Sequence, residues 1–364
     1  MPRKFHPPLS VLLIILYSQI NFGCSKKDES ARKVVINNFP INMTLHGEPI
    51  LLNEINSSQL YLVDTLLLVE QLELKQWNFN VYSIPELNFV GNLGRVGDGP
   101  KEWRKVRFSH QTEISDSGKV SLWVNDIRHA RFQLVDLRSN LNKVEPNIFY
   151  DFKHPKELDL IQNLIYLDSN KWVGNLGPNS LDRGRFLVYN PISRTTNLIP
   201  FNLNVINEKM LTLDDYYDIY FSSLRVNKDK TKLISAMHRF DRIDIFDTSN
   251  LFKPILSIVG KKMSDNLDAS KIKQDNSYLR IFYFDLFTSE SYIYALYFDQ
   301  PYYFYGNNLK STEIRVFDWT GTPIAKFLIP EYLTSFTIDE KNGFIYGASY
   351  FQEKIMRYPF SLNE

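Results

Sequence analysis

Cysteine is nearly absent from this sequence of 364 residues, with Cys24 standing alone. A disulfide framework and a thiolate metal cage within the chain are therefore both excluded. An excess of one charge sign is missing too, because 42 Lys and Arg face 41 Asp and Glu for a formal net charge of +1. Such a balance exerts no general pull on nucleic acid, so no nucleic-acid partner is expected. The apolar run Leu9–Tyr17 (LSVLLIILY) is too short for a bilayer span, which takes about 20 residues. Signatures of catalysis are missing as well: there is no serine elbow of the G-x-S-x-G type and no H-E-x-x-H pair. The histidines at 6, 46, 110, 129, 154 and 238 are scattered, with none at metal-ligand spacing. The glycines at 91, 94, 97 and 99 lack the order, the preceding strand and the following helix of a dinucleotide fingerprint. A tight crossing between sheets, with Trp103 wedged in it, accounts for them better.

What is present is aromatic. Phe and Tyr number 26 and 21, and aromatics make up 14% of the chain, which leans the expectation towards half-buried pleated sheet. The first segment reads as a targeting device. Arg3 and Lys4 precede the apolar run, and Gly23 then Cys24 follow at a cleavage distance, so residues 1–23 read as a lipoprotein signal peptide. Cys24 is the expected lipidation site, and more than one acyl chain would anchor the protein stably. Residues 24–33, beginning with Cys24 and SKKDES, form a polar tether, and the folded domain is expected over 34–364.

Within that domain a short motif recurs, an apolar residue running into Asp, Asn or a turn. It appears as VYS, LVD, VYN, IFD, VFD and RYP, centred on Tyr82, Val135, Tyr189, Phe246, Phe317 and Tyr358. Intervals of about 40 to 70 residues mark a repeat architecture with insertions between units. A partner strand precedes each motif (LLLVEQ, SLWVND, KWVGNL, KLISAM, YIYALYF, FIYGAS). Turn residues follow the first five, sending the chain back into a fourth strand. The expected fold is all-β: a six-bladed β-propeller of four-stranded antiparallel blades, the last closed by an N-terminal strand. Val34–Leu45 reads as strand outside every unit and is assigned that closing role. Met263–Leu279 and Asn204–Tyr220 read as insertions, the second with a short helix.

GRVGDGPKEW followed by GKVSLWVNDIRHARFQLVD resembles the NHL-type repeat, departing at Lys101, where that repeat usually has Gly, and at Trp103, where it has Phe. Together with the signal segment, the chain resembles the TolB-like six-bladed propeller lipoproteins of Bacteroidetes. SKKDES is likewise similar to the charged export tags of their surface lipoproteins. The resemblance implies a bacterial outer-membrane lipoprotein, periplasmic or surface-exposed, held to the membrane by its lipid.

Meander parity puts the bends between second and third strands on the same face as the crossings between blades. A ligand-binding rim is therefore expected from Asp98, Lys101, Glu102, Arg104, Arg128, His129, Arg239 and Asp241, with Tyr302, Tyr303 and Tyr305 from the YYFYG loop. Exposed tyrosines offer apolar faces with polar tips, suited to a carbohydrate or a protein partner. Asn125, Asp126 and Asp299 are candidates for a divalent cation such as calcium in the central channel. No catalytic residue and no other cofactor is expected. The leading reading is a non-catalytic binding propeller at the cell envelope. The alternative is a divalent-metal-dependent hydrolase or lyase with its site in the channel.

Overall fold

The computed structural model describes residues 31–50, 57–71, 76–99, 101–104, 106–143, 145–155, 158, 161–176, 184–200, 212–250, 252–260, 280–301, 311–349 and 351–362. Three short strands, β1 (Arg32–Val35), β2 (Ile41–Thr44) and β3 (Glu48–Pro49), precede six sheets. Blade 1 is β4–β7 (Ser57–Val63, Leu66–Gln71, Trp77–Ser83, Phe89–Arg95). Blade 2 is β8–β11 (Val106–Ile114, Val120–Asp126, Arg131–Asp136, Ile148–Lys153). Blade 3 is β12–β15 (Ile161–Asp168, Lys171–Leu176, Phe186–Asn190, Thr195–Ile199). Blade 4 is β16–β19 (Ser222–Val226, Lys232–Met237, Arg242–Asp247, Lys253–Val259). Blade 5 is β20–β23 (Arg280–Thr288, Tyr292–Pro301, Thr312–Asp318, Pro323–Ile329). Blade 6 is β24–β26 (Ser335–Asp339, Phe344–Ser349, Lys354–Pro359) with β3 as its fourth strand. The first strand of each meander lines the axis: β8 packs on β4 and β12, β20 on β16 and β24, and β24 on β4.

All six recurring motifs end the third strand of their blade. Their terminal Asp or Asn has a local duty. Oδ1 of Asp136, Asn190, Asp247 and Asp318 accepts a backbone N–H from the turn beyond, from Ser139, Ile192, Ser249 and Thr320 at 2.8–2.9 Å. Such side-chain caps set the hairpin that produces the fourth strand. Second strands have sheet on both faces and strands on both edges; in β9 every residue is buried. One apolar cluster fills each gap between neighbouring blades, including the gap from blade 6 back to blade 1, where Tyr346 and Ile355 meet Leu67 and Tyr82. Fully buried methylene groups at about 0.8 kcal/mol each make these gaps the principal source of stability.

The closing strand is not Val34–Leu45. Glu48–Pro49 pairs with β26, and Ile50 N donates to Ile355 O at 2.8 Å. The earlier stretch is a belt. β1 runs parallel to β19 on the outside of blade 4, and β2 runs parallel to β23 on blade 5. A buried aliphatic residue pins the chain after each belt strand: Ile36, Leu45 and Ile50. β1 also begins at Arg32, inside the stretch expected to be tether. Strand propensity marks a segment as fit for an edge but carries no information about which edge, and three were open.

The glycine-rich crossing behaves as a wedge. Trp103 is buried between blades 1 and 2, bridges to Val96, and donates from Nε1 to Gln133 Oε1 at 2.8 Å. Gly94 has φ +73°, and a Cβ there would meet Trp103 ring atoms at 2.0 Å. Both its conformation and its neighbour therefore require glycine. Helix α1 (Leu213–Tyr220) opens on a capping box between Thr212 and Asp215. The Met263–Leu279 insertion lies outside the described residues.

Candidate functional site

Part of the expected rim assembles where blade 1 crosses to blade 2. Arg104 Nη1 pairs with Asp98 Oδ2, and His129 Nε2 lies 3.5 Å from Asp98 Oδ1. Asp126, fully buried at the end of β9, organises the group. Its carboxylate accepts from Arg104 N at 3.1 Å, from Arg128 N and His129 N at 3.2 Å, and contacts His129 Nδ1 at 2.8 Å. Glu102 turns inward and accepts from Gly99 N at 2.9 Å, while Lys101 reaches Glu145 at 2.8 Å. The Arg104 hydrogen bond holds the Asp98 carboxyl below its ordinary range. Exposed pairs of this kind contribute little stability; their effect is to give the crossing one shape.

The axis is filled at mid-depth. From β16, Arg225 Nη2 donates to Asp285 Oδ1 on β20 and contacts His110 Nε2 on β8, each at 2.8 Å. A guanidinium only donates, so His110 Nε2 accepts and the imidazole is neutral. Burial, reinforced by the Arg225 charge, drives the His110 pKa well down. Asp285 Oδ2 accepts from Ser335 Oγ at 3.2 Å, and Ser335 Oγ in turn accepts from Leu60 N at 3.2 Å. Four innermost strands and that of blade 2 are thus knitted through one buried cluster. A divalent cation does not fit there, because a guanidinium holds the centre. The candidate ligands are likewise committed and lie on different blades: Asp126 to its turn, and Asp299 to Arg280 Nε at 2.8 Å. Asn125 sits beside Asp126 with its amide unpartnered. Among the described residues no group of three His, Cys, Asp or Glu side chains is arranged to hold a metal ion.

Off the axis, between blades 4 and 5, a pocket of about 590 Å³ opens under the belt. Asp241, in the bend after β17, is buried at its base. Its carboxylate accepts from Tyr283 Oη at 3.1 Å and Tyr297 Oη at 3.3 Å, and lies 3.3 Å from Arg315 Nη1. Gly260 lets that carboxylate lie flat against the backbone, since a Cβ there would meet it at 1.8 Å. Arg315 stacks on the Tyr297 ring at 3.2 Å from the centroid and bonds Glu313 at 3.1 Å, with Lys326 at 3.9 Å from the same carboxylate. Burial works against the Arg315 charge, but Tyr283, Tyr297, Asp241 and Glu313 outweigh it and raise the pKa. The outer wall is Asn37, Asn38, Phe39 and Asn42 of the belt.

The structure thus divides the expected rim. Asp98, Lys101, Glu102, Arg104, Arg128 and His129 form the crossing between blades 1 and 2, and Asp241 belongs to the pocket. Arg239 is buried and donates to Asp218 on α1 at 2.6 Å. Tyr302, Tyr303 and Tyr305 lie outside the described residues, as does Cys24. Tyr297, Glu313, Arg315 and Lys326 escaped sequence reasoning, because strands β21–β23 bring them together without any local pattern. Among the described residues one serine–histidine hydrogen-bond contact occurs, Ser223 Oγ to His238 Nε2 at 3.2 Å. Ser223 Oγ donates instead to Phe284 O at 2.8 Å, so the hydroxyl is not presented to the imidazole as a nucleophile would be.

A closed ring of six meanders, filled on its axis and pocketed between two blades, is the architecture of a six-bladed β-propeller. The sequence matches the family described as TolB-like 6-blade propeller-like over residues 59–341. The chain belongs to that family. No curated protein matches it. Similar solved structures include a member of the DUF4221 family from Bacteroides vulgatus, with 12% identity and a TM-score of 0.59 over 87% of this chain and 98% of that one. A candidate exported protein of Bacteroides fragilis has 9% identity and a TM-score of 0.51, over 90% of this chain and 98% of that one. At these identities the likeness establishes the fold.

Proposed function

We infer that this chain is a binding propeller of the cell envelope, anchored by lipid at Cys24, with its ligand seat in the pocket between blades 4 and 5. The observation that carries the reading is the state of the charges there. Each cation in the lining already faces a carboxylate, so the pocket offers shape, aromatic surface and amide groups rather than an activated nucleophile or base. Asn37, Asn38 and Asn42 can donate and accept hydrogen bonds, and Phe39, Phe298 and Ile36 supply apolar contact. A carbohydrate or a protein loop at the envelope suits such a lining. The N-terminal signal layout, together with a solved relative named as a candidate exported protein, supports delivery out of the cytoplasm and an outer-membrane address.

The test is capture from the membrane. Cross-linked wild-type protein and an Arg315→Ala/Glu313→Ala variant would be purified from membranes and their bound species compared by mass spectrometry. A ligand or partner held by the wild type and lost from the variant is expected, with Cys24→Ala moving the protein to the soluble fraction. Equal capture by the variant would place recognition elsewhere on the ring. Chelator-sensitive turnover of ester, lactone or glycoside substrates would replace the reading with a catalytic one.

A further inference from the structure

Among the described residues, arginines that are buried or half-buried face carboxylates, as Arg185 does Asp244, Arg225 Asp285, Arg239 Asp218 and Arg315 Asp241. Arg107 is the exception. It sits near the start of β8, on the innermost layer of blade 2, is half-buried, and has no hydrogen-bond or ion-pair partner among the described residues. In the antiparallel ladder it lies directly opposite Asn125. Directly opposite residues leave the sheet on the same face with Cβ atoms about 5 Å apart. Asn125 is 2% exposed, and neither its amide nitrogen nor its amide oxygen has a partner. Buried amides normally find one.

A third donor stands nearby. The Arg107 charge acts on Tyr61 of blade 1 and on Tyr217 of α1, so both phenols lie within its electrostatic reach. The Tyr217 hydroxyl makes no hydrogen bond among the described residues, and burial pushes its pKa up to about 12, so it stays protonated as a donor. Further along β8, His110 joins the Arg225 and Asp285 cluster that fills the axis.

We propose that Arg107, Asn125 and Tyr217 form an oxyanion-binding site beside the two inner strands of blade 2. The chemistry follows from the inventory. An unneutralised planar fork binds carboxylate, sulfate or phosphate through two parallel N–H···O bonds. An amide N–H and a phenol O–H add neutral donors for the remaining oxygens. A divalent cation is repelled by the guanidinium, and a neutral sugar leaves it uncompensated. This site is separate from the pocket between blades 4 and 5, and either can stand without the other.

The experiment is calorimetric titration of the full mature chain at constant ionic strength with sodium sulfate, sodium phosphate and sodium glucuronate, with glucose as the neutral control. Saturable binding of at least one of the three anions is expected, with none of glucose. Arg107→Gln should weaken it at least tenfold, Asn125→Leu by a few-fold, and Lys326→Gln in the other pocket not at all. Preference for glucuronate would point to an acidic sugar or a peptide carboxylate, and preference for the inorganic anions to a phosphate or sulfate ester. If Arg107→Gln does not fold, Arg107→Lys keeps the charge without the fork and should still weaken binding several-fold. No binding by the wild type, equal binding of glucose, or an undiminished affinity in the folded Arg107 variant overturns the proposal.

Discussion

Two stretches of the ring solve the same packing problem differently. Between blades 2 and 3 the gap is aromatic. Trp123 stacks on Phe132 at 4.8 Å and on Tyr166 at 4.4 Å, and Phe152 meets Trp172 edge-on at 4.5 Å. Around blade 4 the gaps carry charge. Arg185 crosses from blade 3 to Asp244 at 2.7 Å, and Arg225 crosses to blade 5. Aromatic packing gives stability without demanding an exact partner, whereas a guanidinium buried against one carboxylate selects a single arrangement of neighbours. The charged gap between blades 4 and 5 also adjoins the belt and the pocket beneath it.

Substitutions test this contrast, and the largest effect is expected in the aromatic gap. Trp172→Ala should cost about 4 kcal/mol of folding stability by urea denaturation, as large-to-small core changes do. Arg185→Ala should cost about 3 kcal/mol, because it leaves Asp244 buried and unpaired. The double change Arg185→Met/Asp244→Leu separates the two kinds of gap. Stability at or above wild type would show that the pair specifies geometry, while a loss matching the single variant would make it as stabilising as the aromatic gap.

Acid should act first through buried imidazoles. Burial lowers the His154 pKa to about 4, against the pull of Asp126, and burial together with Arg239 lowers that of His238 to about 3. Both folded values lie below the unfolded value of about 6.5, so their stabilising effect is complete above that pH. It is lost as pH falls from there towards about 4 and about 3 respectively. Each contributes a slope of up to about 1.4 kcal/mol per pH unit in that window. Denaturant midpoints between pH 7.5 and 5 should therefore decline, and His238→Phe should flatten the decline by one histidine's share. An unchanged slope would mean that these rings protonate without unfolding. Asp244 enters later: burial raises its pKa, but Arg185 and Arg242 outweigh that and lower it, so its stabilising effect fades only at pH below the ordinary carboxylate range.

Smaller effects belong to the belt and to α1. Ile36→Ala should cost about 2 kcal/mol and release amide protection in β1 by hydrogen exchange, with no comparable change in blades 1–3. Thr212→Ala removes the cap of α1 and should cost about 1 kcal/mol. Full retention of protection in β1 would mean that the parallel pairing with β19, rather than Ile36, secures the belt.

Some of this was legible in the amino acids alone because it is local. The six third strands announce themselves through a terminal Asp, Asn or turn whose duty is to cap the next hairpin a few residues on. Trp103 and Gly94 lie near enough in sequence for the wedge between them to be anticipated. The belt was misassigned because Val34–Leu45 has the propensity of an edge strand, and nothing in propensity names the edge. Asp241 was visible as a bend residue, but Arg315 and Tyr297 look like ordinary strand positions. Arg107 and Asn125 become neighbours only through the ladder register between β8 and β9, which itself slips between Phe108 and Thr112.

By itself, then, the order of residues determined the number of blades, their strand pairs and the turns, since each depends on interactions within a few tens of residues. The closed ring alone settled which edges the N-terminal segment covers, which charges meet across the gaps, and that half-buried Arg107 faces an amide instead of a carboxylate. Those outcomes rest on side chains far apart in the chain, whose encounter is set by register, twist and closure rather than by any local preference.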